Sequence, residues 1–148
     1  MKRREAMVGT GAFALAAISS ASLAQKSDAA HDHAHMHGGT NSALIAAAAD
    51  CVIKGQACLA HCLELLADGD KAMAACAKSV NQMLAVCAAL QNLAAQQSAL
   101  LPAMAKVALQ ACQQCEKECR IHEKKHAECK ACMESCAQCA KQCKDLAA

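Results

Sequence analysis

The sequence predicts an all-α protein, an antiparallel up-down four-helix bundle with a Cys-lined core. Three observations carry that expectation. Apolar and cysteine positions recur at gaps of three and four over residues 42–146, the spacing that holds side chains on one helix face. Short stretches of turn and cap residues cut that region into segments of similar length. Eight of the 13 cysteines lie between Cys112 and Cys143 at the same helical gaps, where a bundle ordinarily carries Leu.

Residues 1–24 read as an export signal. Lys2, Arg3 and Arg4 form a basic start, Met7 to Ile18 an apolar run too short to span a bilayer, and Ser22-Leu23-Ala24 a small-x-small cleavage site. Paired arginines before a modestly apolar, Gly-containing run point to the twin-arginine route and a periplasmic destination, with an ordinary Sec signal as the alternative. The twin-arginine route carries folded proteins, so thiols would be buried in the reducing cytoplasm before meeting an oxidising compartment. Residues 25–41 form a His-rich linker whose polar composition predicts disorder. Its His31, His33, His35, Met36 and His37 read either as a loose copper-binding tract or as a solvated tail.

The first helix is expected from Ser42 to about Ala67, with N-cap oxygens on offer from Thr40, Asn41 and Ser42. Its inward stripe carries Leu44, Ala48, Cys51, Cys58, Cys62 and Leu65 or Leu66, and Asp68-Gly69-Asp70 stops it. A second helix, Lys71 to Ala95, shows the ladder Met73, Cys76, Val80, Met83, Cys87, Leu90, Ala94. After a polar Gln-Gln-Ser stretch, Pro102 opens a third helix that includes Cys112, Cys115 and Cys119. No Gly or Pro separates Cys119 from Cys129, so the pattern alone permits one helix from Pro102 to Leu146. At about 1.5 Å per residue that helix would far outreach its partners and expose its second thiol stripe. A turn within His122 to His126 avoids this, leaving a fourth helix with Cys129, Cys132, Cys136, Cys139 and Cys143.

Composition excludes several function classes. Phe13 is the one aromatic of the Phe, Tyr and Trp class and lies in the signal, so no platform exists for stacking on bases. A net charge of +2 supports neither nucleic acid nor an anionic membrane as partner. No acid–base pair or nucleophile with a positioned partner can be read, so the chain is expected not to be an enzyme. The Lys and Glu of the last two helices suit an exposed face of i,i+4 pairs.

Three chemistries compete for the cysteines. Disulfides would make the chain a stapled helical interaction module. Yet 13 is odd, and i,i+4 thiols on one helix, about 6 Å apart with near-parallel Cβ vectors, fit disulfide geometry poorly. Cys119 and Cys129 have the spacing of helical-hairpin disulfides, but Cys76 and Cys87 do not match it. Zinc and iron–sulfur sites use turns that converge four ligands on a point, whereas the CxxxCxxC run at Cys132, Cys136 and Cys139 follows from helical spacing. Monovalent copper prefers thiolate and thioether and accepts two or three ligands without a rigid polyhedron. Thiolates bridging an equal number of Cu(I) ions sum to zero charge, so a loaded core holds no unpaired charge. A stripe of this kind implies multiple ions, roughly one per cysteine if each sulfur bridges two metals.

With CxxxC pairs on helical stripes and an export signal, the chain resembles the bacterial copper storage proteins. The likeness covers Ser42 to Leu146 and rests on the spacing of all 13 cysteines. It implies a homotetramer of bundles, each storing Cu(I) for copper-dependent enzymes such as methane-oxidising ones, with a copper chaperone or recipient enzyme as partner. Sequestration of copper or zinc against toxicity is the neighbouring role. His61 and Met73 match ligand positions at the family's open end, while Leu65 and Asp68 stand where relatives can carry further methionines. In an up-down bundle the first and third turns share one end, so His61, Met73, His122 and His126 are expected to line a mouth through which copper passes. Leu44, Leu90, Leu93, Leu100 and Leu101 are expected to seal the other end. Met83, Met104 and Met133 are expected to serve as packing.

Overall fold

The predicted segmentation is found in the computed structural model, which describes residues 41–147. The export signal, and all of the His-rich linker except Asn41, lie outside the described residues. Four helices follow in order, α1 Ser42–Ala67, α2 Ala74–Ala95, α3 Leu101–Arg120 and α4 Ala127–Lys144, with a 3-10 turn at Lys71–Met73 leading into α2. Each packs on two neighbours, in the cyclic order α1, α2, α3, α4 and back to α1. That is an up-down bundle, with α1 diagonal to α3 and α2 diagonal to α4.

The turns explain the segmentation. After α1, the N–H of Asp70 reaches Leu65 O at 2.9 Å and that of Gly69 reaches Leu66 O at 3.0 Å. This pair is the Schellman C-cap, and it places Gly69 at φ 95, a conformation that glycine adopts without Cβ strain. Asp70 then accepts the Ala72 N–H at 3.1 Å and starts the next element. The α2 terminus repeats the motif, with Ser98 N–H on Leu93 O at 3.0 Å and Gln97 N–H on Ala94 O at 3.2 Å. Here the left-handed residue is Gln97, at φ 51. Between α3 and α4, His122 N–H bonds to Cys119 O at 3.0 Å, and His126 N–H to His122 O at 3.0 Å. The chain leaves that turn with His126 extended, which breaks the single long helix that the pattern alone allowed.

Two expectations are corrected. Asn41 does not cap α1 with its oxygen. Its side-chain amide instead donates to Ala94 O at 3.3 Å, tying the start of α1 to the end of α2. Leu100 is 64% exposed and takes no part in the aliphatic seal, because it precedes α3 and points away from the core. The seal consists of buried Leu44, Ala48, Leu90, Ala94, Leu101, Ala105 and Ala108, with Leu93 half-buried against it.

The bundle is also a repeat of two helical hairpins. A shift of 57 residues carries Leu44, Ala48, Cys58 and Cys62 onto Leu101, Ala105, Cys115 and Cys119. A shift of 56 carries Cys76, Ser79, Cys87 and Leu90 onto Cys132, Ser135, Cys143 and Leu146. The structure bears out the correspondence in detail. Ser79 Oγ donates to Cys76 O, and Ser135 Oγ donates to Cys132 O, each at 2.9 Å. Since the paired helices are diagonal, the halves are related by an approximate two-fold axis along the bundle. The halves differ in their thiols: Gly55, Met73, Val80 and Met83 stand where the second half has Cys112, Cys129, Cys136 and Cys139.

Candidate metal centre

Every cysteine is free and fully buried. The reason is periodicity: Cys51, Cys58 and Cys62 on α1, Cys76 and Cys87 on α2, and the thiols of α3 and α4 all occupy inward positions three or four apart. Twelve of the 13 fall into four sulfur groups, in each of which all Sγ atoms lie within 4.8 Å of one another. Cys51, Cys87, Cys112 and Cys139 form one group of four, with one thiol from each helix. Cys58, Cys62, Cys76 and Cys129 form another, nearer the first and third turns. Cys58 joins Cys119 and Cys132 in a third, and Cys132 joins Cys115 and Cys136 in a fourth. Cys143 alone stands outside the groups.

Weak sulfur hydrogen bonds join Cys58, Cys76, Cys115, Cys119, Cys129 and Cys132 in one set and Cys87 with Cys112 in another. Cys76 and Cys119 are 3.5 Å apart, Cys87 and Cys112 3.6 Å, Cys115 and Cys132 3.7 Å, and Cys58 and Cys129 3.8 Å. None of these is a covalent distance, so among the described residues the disulfide-stapled alternative has no bonded pair, Cys119 and Cys129 included.

The network divides the thiols by role. Cys139 is lowered to about 5, first by the S–H of Cys112 and next by that of Cys143. Cys51 is lowered chiefly by Cys112 and then Cys136, and Cys132 chiefly by Cys115 and then Cys119. Donors move the other way. Cys58 is raised by its bonds to Cys119 and Cys129 before burial contributes, and Cys136 by those to Cys112 and Cys115. A soft cation entering here replaces S–H protons one at a time and leaves sulfurs already spaced to bridge.

The end formed by the first and third turns is chemically different. His61 Nε2 lies 2.9 Å from His126 Nδ1, so one ring donates and the other accepts. The ring centroids are 4.9 Å apart, and the His122 ring lies beyond, tilted by 58° at 6.3 Å from His126. Glu128 Oε2 sits 3.7 Å from the same His61 nitrogen, in the first turn of α4, where a carboxylate also suits the helix dipole. Met73 on the 3-10 turn is fully buried. His61 is therefore brought together with His126 as expected of a shared mouth, and His122 stands next to it.

Two residues of the site went unnoticed in the sequence. Glu128 carried a signal in its place two residues after His126, at the start of a helix. Gly55 carried a plainer one: it falls on the α1 thiol stripe between Cys51 and Cys58, where glycine costs helix stability.

Residues 36–148 match the model of a family described as Csp, copper storage protein. The chain is similar to the structure of apo-Csp3, copper storage protein 3, from Bacillus subtilis, with 28% identity and a TM-score of 0.64. That match covers 73% of this chain and 99% of the other. It is also similar to the Cu(I)-bound copper storage protein BsCsp3, with 27% identity and a TM-score of 0.67, over 73% of this chain and 98% of the other. No curated protein sequence matches.

Proposed function

The chain belongs to the copper storage protein family, and from that premise we propose that it stores multiple Cu(I) ions as thiolate clusters inside the bundle. Cys51, Cys58, Cys62, Cys76, Cys87, Cys112, Cys115, Cys119, Cys129, Cys132, Cys136, Cys139 and Cys143 are the ligands, at roughly one ion per cysteine. The observation that carries this is the placing of twelve buried sulfurs in four groups no wider than 4.8 Å. Thiols that are still protonated lose their protons as copper binds, and with one ion per thiolate the filled sulfur–copper core is neutral.

His61 and Met73 act as ligands at the mouth, through which copper enters and leaves. A partly exposed imidazole backed by Glu128 supports this, as does the aliphatic seal at the opposite end. The protein works in the periplasm after twin-arginine export, as a homotetramer, and buffers copper for copper-dependent enzymes reached directly or through a chaperone. Exposed Ile53, Leu63, Val107 and Ile121 support self-association, since burying them against a second copy removes apolar surface from water. The activity is storage and transfer rather than catalysis.

Anaerobic Cu(I) titration of reduced protein against a competing chelator tests the reading. Saturation near the cysteine count is expected, and saturation at one or two ions overturns it. Thiol counting on freshly purified, unfolded protein is the second check, with nearly all thiols expected free.

A further inference from the structure

Met83 reads from the sequence as packing, but its place in the two-hairpin repeat is that of a thiol. It is fully buried on the inward face of α2, one turn before Cys87. The 56-residue repeat superposes it on Cys139, a member of the four-helix group with Cys51, Cys87 and Cys112. The 57-residue repeat superposes Gly55 on Cys112 of the same group. A Cβ at Gly55 would come within 2.7 Å of Met83 Cε and 2.8 Å of Leu84 Cδ2, so the missing side chain leaves room for both, and lets the end of Met83 lie against the α1 stripe. One half of the bundle thus sets two thiols face to face where the other sets a methionine across a glycine. The repeat places Met83 on α2 at the level that Cys139 holds on α4, diagonally across the bundle. A thioether is a soft neutral donor that Cu(I) accepts beside thiolate.

We propose that Met83 is a core Cu(I) ligand, completing a mixed thiolate–thioether site opposite Cys139 with Gly55 as the residue that makes room for it. This rests on the storage reading above. A neutral thioether adds coordination without adding charge, so the site closes a copper ion's ligand set where a further thiolate would leave one negative charge unbalanced.

The test uses selenomethionine-labelled full chain carrying Met36→Leu and Met73→Leu, which removes the linker and mouth thioethers. After anaerobic loading with Cu(I), X-ray absorption at the selenium edge is expected to show a copper neighbour. Adding Met83→Leu, close to isosteric and compatible with folding, is expected to abolish that copper shell and lower the capacity by about one ion. Adding Met133→Leu instead is expected to leave it unchanged. A full copper load with no copper around selenium overturns the Met83 assignment and leaves storage standing. So does a copper shell that survives Met83→Leu. A protein that takes up no more than one or two ions overturns the storage reading itself.

Discussion

Cys58 and Cys132 differ from the other thiols by belonging to two sulfur groups each, whereas Cys143 belongs to none. Replacing them with Ala should therefore have unequal effects on copper capacity. Cys58→Ala removes a sulfur from the group of Cys62, Cys76 and Cys129, and at the same time from the pair Cys119 and Cys132. The latter falls to two sulfurs. Cys132→Ala likewise leaves Cys58 with Cys119 and Cys115 with Cys136. If each sulfur bridges two ions, losing a shared one costs roughly two ions, while Cys143→Ala costs at most about one. The unloaded bundle should tolerate all three changes similarly. Each deletes one fully buried sulfur, worth about 1 kcal/mol in transfer and cavity terms. For a domain of about 100 residues that lowers Tm by about 4 °C. Thermal unfolding of metal-free protein and chelator-competed Cu(I) titration of the same samples give the two readouts. Equal losses of capacity for Cys58→Ala, Cys132→Ala and Cys143→Ala would refute the shared-sulfur geometry, whatever the unfolding curves showed.

Three further outcomes are expected. Gln97→Gly relieves the left-handed strain at φ 51 and should raise the Tm of the metal-free protein by about 4 °C, for roughly 1 kcal/mol, as read by calorimetry. His61→Ala should slow copper transfer to an external chelator about tenfold while leaving capacity within one ion of wild type, measured by stopped-flow; an unchanged rate would move the entrance elsewhere. Loading should release fewer protons than copper ions bound, because Cys139, Cys51 and Cys132 are held below the usual thiol range, and apparent Cu(I) affinity should rise with pH while the remaining thiols of the folded, metal-free bundle are protonated, which proton-release calorimetry in two buffers measures.

How much of this could be read from the chain follows from which residues speak locally. The thiol stripes were legible because gaps of three and four encode a helix face without reference to anything else. The turn at His122 to His126 needed a length argument, since nothing in its residues breaks a helix. The Leu100 seal position failed because a residue just ahead of a helix takes its direction from the Ser98 turn, which hydrophobicity does not report. Gly55 and Met83 are a different case. Each has an ordinary reading alone, a weak spot in a helix and a filler in a core. Only their meeting across the α1–α2 contact, on positions that the other hairpin gives to Cys112 and Cys139, joins them into one feature.

The same comparison of halves suggests why the ligand set is unequal. A fully thiol-lined version of α1 and α2 would carry cysteine at 55, 73, 80 and 83 as the second hairpin does. Placing Val80 and Met83 there instead provides two of the largest fully buried side chains in a core otherwise built mainly from Cys and Ala. Small residues bury little area, and at about 25 cal/mol per Å² a Cys and Ala core alone holds helices weakly. The first hairpin thus contributes cohesion in the absence of metal, and the second contributes most of the sulfur. If so, Val80→Ala should destabilise the metal-free protein by about 2 kcal/mol and change copper capacity little. Cys136→Ala, at the matching position, should do the reverse. A similar loss of stability and of copper in both variants would contradict that division.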